Sequence, residues 1–260
     1  MKLDYATLIS PYSFSTKKIG NIKSPTLKEI WNPEVTYQKY NIYLSFLSVD
    51  IKTYCNQIDV SKSGWYQSLS EEDKLNINMF DLINFDENLQ NIFSEIFSFF
   101  FEENVIWDNE NKLFITFVDY DENGQIIPIG TIYKDIFWEL CDVILQRCGI
   151  NRSDTNIDIS KVKNKRALKI LNKIKKAKEK LSKTTQNMDE IELPNLISSI
   201  AVKSNSLNFI NIWNLTVYQL YEQFKKEQTN VYFDIQKMSV AAYGNKENTF
   251  KGNEWYKNEN

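Results

Sequence analysis

Histidine is absent from the 260 residues of this chain, and glycine occurs only seven times. Without histidine, the chain has no side chain whose unperturbed pKa lies near neutrality. This absence excludes Ser-His-Asp and Cys-His catalytic arrangements within the chain, together with every zinc site that uses histidine. Phosphate-binding loops use glycines to bring backbone N–H groups close to the ligand. Neither the dinucleotide-binding nor the P-loop glycine pattern occurs here.

Cysteine is also scarce, and long apolar runs are missing. The three cysteines, Cys55, Cys141 and Cys148, are odd in number and lack metal-type spacing, so we expect no disulfide framework. Cys141 and Cys148 lie seven apart among apolar residues of one predicted helix, so we expect both to be buried. No segment approaches the roughly 20 apolar residues of a transmembrane helix, and the first residues lack the apolar region of a signal peptide. We therefore predict a protein of a reducing cytoplasm with no membrane contact, no cofactor, no metal and no enzymatic activity.

The residues that are present supply a core, since 42% are hydrophobic and 14% are aromatic. Apolar residues recur at helical spacing in 86–101 and 133–148, and Asn32-Pro33 is typical of a helix start. Alternating apolar residues between about 104 and 130 predict a small antiparallel sheet, and the first 25 residues predict another hairpin. The predicted fold class is α+β, mainly α-helical with a small antiparallel β-sheet or hairpins.

A polar stretch at residues 184–192 predicts a linker between two domains. The first domain is then 1–183, and a C-terminal helical module follows at 193–260. Within this module, a Thr-x-x-Gln capping box starts a predicted helix at Thr216–Gln228. A shorter helix is predicted near Ile235–Ala242.

The most distinctive segment is basic, because residues 161–183 contain 11 lysines or arginines and one acid. Its net charge of +10 contrasts with −13 elsewhere, from 20 basic and 33 acidic residues. Apolar residues three or four apart predict a helix with a basic face. Three interpretations stay open: a solvated lysine-rich helix, docking on an acidic protein surface, and salt-sensitive contact with nucleic acid. The candidate interaction residues are Lys165, Arg166, Lys169, Lys173, Lys175, Lys176 and Lys178.

A second set of candidate interaction residues is apolar and lies in the C-terminal module. The segment from 212 to 224 is rich in the aromatic side chains that protein interfaces favour. Packing within the fold and a subunit interface both explain this composition, so self-association is a further interpretation. The candidates are Trp213, Tyr218, Tyr221 and Phe224.

One acidic turn has part of a calcium-binding pattern. Asp119-Tyr-Asp-Glu-Asn-Gly124 fits the first half of a calcium loop, but the twelfth position, where a glutamate is required, is Gly130. The flanking residues also alternate like strands. We therefore predict that Asn-Gly forms a β-turn between two strands.

Several short segments along the chain resemble one group of phage proteins. They are Ile9–Tyr12, Ile22–Ile30, Lys165–Leu171, Asn214–Tyr221, Ser239–Gly244 and Trp255-Tyr256. They are similar to tail-morphogenesis proteins of phages that infect low-GC Gram-positive bacteria. Such proteins are encoded near the tape-measure gene, and many are described as tail assembly chaperones or as structural proteins.

The resemblance implies a non-enzymatic phage tail assembly or virion protein that acts by protein–protein contacts. The implied partner is the tape-measure or tail-tube protein, and the implied location is the host cytoplasm or the virion.

The alternative function is association with nucleic acid through residues 161–183. The net charge of −3 over the whole chain counts against a dedicated nucleic-acid binder.

Overall fold

Helices make up most of the described chain, and the strands in it pair antiparallel. The structure, a computed structural model, describes residues 1–16, 18–150, 193–245 and 250–253. The predicted basic helix at 161–183, with its seven candidate residues, and the predicted linker at 184–192 lie outside these residues. The predicted fold class, α+β and mainly helical with small antiparallel sheets, is confirmed.

The chain divides into two units, Met1–Asn156 and Ile157–Asn260. The point of division lies outside the described residues, so the domain limits given above stay a prediction. The first unit contains α1 (Tyr5–Ile9), β1 (Phe14–Thr16), β2 (Gly20–Ile22), α2 (Tyr37–Ser48), α3 (Ile51–Thr53, continued as a π-helix over Tyr54–Ile58), α4 (Ser63–Ser68), α5 (Glu71–Asn76), α6 (Met79–Ile83), α7 (Glu87–Phe100), β3 (Asn104–Asp108), β4 (Leu113–Tyr120), β5 (Ile126–Ile132) and α8 (Lys134–Arg147). The described elements of the second unit include α9 (Leu193–Lys203) and α10 (Val217–Tyr243).

Two antiparallel sheets occupy the predicted positions in the first unit. Strands β1 and β2 form a hairpin, and β3, β4 and β5 form a three-stranded sheet in that order. The turn between β1 and β2 lies directly against the larger sheet, where the Thr116 hydroxyl donates to the Ile19 carbonyl. A Cβ at Gly130 would lie 2.1 Å from the Lys18 carbonyl oxygen, so this contact requires glycine.

The core of the first unit is built from aromatic rings. Helix α7 begins after Asp86, whose side chain accepts from the N–H groups of Asn88 and Leu89. One face of α7 then buries Phe93 and Phe97. The Phe93 ring lies 5.3 Å from Phe137 of α8, and the Phe97 ring lies 5.2 Å from Phe114 of β4. These rings join α7, α8 and the sheet into one hydrophobic core.

The N-terminal segment is held by the last turn of α8. The Gln146 side chain accepts from the Leu3 N–H and donates to the Met1 carbonyl, at 2.9 and 2.8 Å. The buried Arg147 guanidinium donates to the carbonyls of Thr7 and Tyr12, at 3.0 and 2.6 Å. Burial lowers the pKa of Arg147 below its ordinary value. Two adjacent polar residues of α8 therefore fix the path of the chain before β1.

All three cysteines are free and buried, which confirms the prediction of buried thiols for Cys141 and Cys148. Burial raises the pKa of the Cys148 thiol to about 12. It also raises the pKa of Cys55 above its ordinary value. Thiols of this kind react slowly because the thiolate is the nucleophile.

The helix start predicted at Asn32-Pro33 is wrong. The Asn32 side chain accepts from the N–H groups of Glu34 and Val35, at 2.8 and 2.7 Å, and these bonds close a turn. Helix α2 begins at Tyr37, after Thr36 caps it. An asparagine side chain can accept from backbone N–H groups either as a helix N-cap or within a local turn. At Asn32 the turn forms instead of the helix.

The acidic segment after β4 is a hairpin turn, as predicted. The Asp121 carboxylate accepts from the N–H groups of Asn123 and Gln125, at 2.9 and 2.7 Å. Gly124 has a φ of +77°, which glycine adopts without steric cost. The turn leads directly into β5.

Candidate functional site

Helix α10 is fixed at its N-terminal end. The Thr216 hydroxyl accepts from the Gln219 N–H at 3.2 Å, and the Gln219 side chain accepts from the Thr216 N–H at 3.0 Å. This capping box confirms the predicted helix start. Helix α9 packs against α10, and an ion pair joins Lys203 to Glu227 at 3.7 Å.

Burial along α10 ends after its second turn. Its buried residues are Val217, Leu220 and Glu222. From residue 223 to 243 no position of the helix is buried, although this part contains several large apolar side chains. Val231 is 42% exposed, Ile235 57% and Met238 65%. Most of this 27-residue helix therefore extends past the residues that anchor it.

Several exposed apolar residues of α10 recur at a regular spacing. Six residues separated alternately by four and three positions, five of them apolar, form what we call the α10 stripe. They are Phe224, Gln228, Val231, Ile235, Met238 and Ala242. Alternation of three and four is the heptad spacing of coiled coils, where the a and d positions face a partner helix. Phe224 is half-buried and the other five are exposed.

The α10 stripe continues the side of the helix on which burial begins. Val217 and Leu220 lie seven and four positions before Phe224, which places them on the same face. On the opposite face, Phe233 contacts the chain that follows the helix. There the Phe233 ring lies 5.2 Å from Phe250, and the Phe250 N–H donates to the Asn245 side chain at 3.3 Å.

The two edges of the stripe differ in charge. At about 100° of rotation per residue, the acids Glu227 and Asp234 border one edge. Lys225, Tyr232 and Ser239 border the other edge. The ion pair between Lys203 and Glu227 is partly exposed, so we expect it to contribute little to stability.

Enzyme-like features are weak around this helix. A cleft beside α10 in the second unit has a volume of about 410 Å³ and is open and polar. It is lined by Lys203, Asn205, Glu227, Asn230, Phe233 and Asp234. Within the parts of the chain that the structure describes, no three Cys, Asp or Glu residues are grouped to hold a metal ion. Neither α10 nor any other described helix is long and apolar enough to cross a membrane.

The second unit is also where the chain is similar to a known family. Residues 175–260 match the family model of the YomV second domain. That family is phage-associated. The match covers about one third of the 260 residues and includes both α9 and α10. No curated protein and no solved structure matches the chain.

The four apolar candidates from the sequence have different environments. The Trp213 indole N–H donates to the Phe209 carbonyl at 2.9 Å, and its ring is half-buried. Tyr218 is half-buried as well, while Tyr221 is 39% exposed. Phe224 alone lies on the α10 stripe. The structure thus extends this set along one helix, to residues that the sequence interpretation did not include.

Those residues were missed because the helix was divided in two. The prediction of two helices, one at Thr216–Gln228 and one near Ile235–Ala242, is wrong. Helix α10 is continuous from Val217 to Tyr243. Thr229, Asn230 and Val231 have low helix propensity, yet the helix continues through them. The heptad spacing across them would have revealed the continuous stripe.

Proposed function

We propose that the protein is a non-enzymatic phage tail assembly or virion protein that acts by binding other proteins. Its proposed partner is the tape-measure or tail-tube protein. The observation that carries this proposal is the exposed α10 stripe. Apolar side chains in a regular row on a well-formed helix are a recurring feature of helix-mediated recognition.

Two further observations support the proposal. The stripe lies inside the region that matches a phage-associated domain. The short segments similar to tail-morphogenesis proteins occur on both sides of that region's start. The absence of histidine and the open, polar character of the cleft beside α10 favour binding over catalysis.

Co-expression with the neighbouring tape-measure or tail-tube protein tests the proposal. We expect a discrete complex on affinity capture and gel filtration. Replacement of Ile235 by aspartate should reduce the captured partner at least tenfold, because a charge would be buried at the contact. Binding should persist at high salt, since the stripe is apolar.

The matched control is Lys237→Asp, which introduces the same side chain two residues away on the other side of α10. It should leave capture unchanged. Absence of any complex with either tail protein would contradict the proposal, as would equal losses in both variants. Co-purified nucleic acid that high salt removes would instead favour the alternative function of residues 161–183.

A further inference from the structure

We propose that the α10 stripe is the contact between two copies of this chain, which pair as a parallel two-stranded coiled coil. This inference rests on the proposed function, because a second copy and a tail protein would use the same surface and would therefore compete for it. The stripe contains six successive a and d positions over about 27 Å, at roughly 1.5 Å per residue. Phe224, Val231 and Met238 occupy d positions, and Gln228, Ile235 and Ala242 occupy a positions.

A second copy matches the stripe residue for residue. In a parallel pair each a or d residue meets its own counterpart. Ile235 then packs on Ile235 and Met238 on Met238, so exposed apolar area is removed from water on both helices. Gln228 meets Gln228, and the two amides can donate to and accept from each other. A single polar residue at an a position is a known means of fixing register.

The charges beside the stripe favour the parallel orientation. In an antiparallel pair the acidic edge of each helix faces the acidic edge of the other, which brings Glu227 and Asp234 close to like charges. In a parallel pair Glu227 faces Tyr232 of the second copy, and Asp234 faces Ser239. Both hydroxyl groups can donate to these carboxylates.

The size of the contact sets its expected strength. A strip about 27 Å long and one helix wide, roughly 10 Å, is smaller than the ~800 Å² per partner of a standard stable interface. We therefore expect a dimer that dissociates on dilution. Its mass should approach twice 30.7 kDa only at high protein concentration.

Disulfide cross-linking of the full chain tests both pairing and orientation. The three native cysteines are buried. Among the described residues, a cysteine introduced on the stripe would therefore be the one exposed thiol. Under mild oxidation, Ile235→Cys should form a covalent dimer, because identical positions meet in a parallel pair. Lys237→Cys, on the other side of the helix, is the matched control and should yield at least tenfold less dimer.

Sedimentation velocity provides the second measurement. The unmodified chain should gain mass with concentration, while Ile235→Asp stays monomeric and Lys237→Asp behaves like the unmodified chain. A monomer at every concentration would overturn the inference. Cross-linking only in a mixture of Val231→Cys and Ile235→Cys would overturn the parallel orientation.

These outcomes separate this inference from the proposed function. A monomeric chain that still captures a tail protein through Ile235 would remove the inference and keep the function. A dimer that captures neither tail protein would keep the inference and remove the function.

Discussion

Helices α7 and α10 differ in how much of each is held by packing. Six of the 14 residues of α7 are buried, and they are spread along its whole length. Only three of the 27 residues of α10 are buried, and they lie in its first two turns. Tertiary packing supplies most helix stability in proteins. Helix α7 is therefore stabilised along its whole length by packing in the core. Most of α10 is not packed in this way, and its apolar side chains are exposed.

Similar residues are therefore packed into a core in α7 and left exposed in most of α10. Aromatic and aliphatic side chains at helical spacing occur in both helices. In α7 they meet rings of α8 and β4 within 5.2–5.3 Å. Along the second half of α10 the corresponding residues are exposed. The spacing of apolar residues along the sequence therefore does not distinguish a buried helix face from an exposed one.

The largest expected effect is in the core beside α7. Phe97→Ala should lower the free energy of unfolding by about 4 kcal/mol, because it removes a buried ring and leaves a cavity. Urea denaturation measures this change. The control Phe85→Ala removes a ring that is 88% exposed and should change stability by less than about 0.5 kcal/mol. Equal effects would mean that the aromatic cluster is not the core.

A smaller effect is expected at the end of α8. Arg147→Met removes both donors to the Thr7 and Tyr12 carbonyls and should cost about 2–3 kcal/mol. Hydrogen exchange should also rise in residues 1–13, which the guanidinium holds. The control is Lys134→Met on the same helix, where an exposed ion pair with Asp81 should contribute under about 1 kcal/mol. Unchanged exchange in Arg147→Met would show that the segment is held by other contacts.

The smallest expected effect tests how α10 is anchored. Thr216→Ala removes the N-cap and should destabilise the helix by about 1 kcal/mol. Faster hydrogen exchange across 217–243 would record the change. Thr229→Ala is the matched control within the helix. It should have no effect or a slightly stabilising one, since alanine is the better helix former. A larger loss from the control would mean that the middle of α10, not its start, is anchored.

Much of the local structure could be predicted from the sequence because its signals are short-range. The capping box at Thr216 gave a helix start that the structure confirms, and the apolar spacing of residues 86–101 gave α7. The alternation around the acidic turn gave β4 and β5. Where two local solutions compete, as at Asn32, the sequence pattern gave the wrong one. The two helices predicted in the C-terminal module are one helix, because the weak helix propensity of residues 229–231 is overridden by the helix on both sides.

The sequence by itself determined most element types, the absence of histidine and the candidate aromatic residues. These depend on residue identity and on spacing along the chain. Only the tertiary structure decided which apolar rows are buried and which are exposed, because burial depends on what other parts of the chain reach a given face. It also placed Arg147 against the N-terminal segment, a contact across about 140 positions. No local pattern encodes such a contact, since it forms only when distant segments meet in the fold.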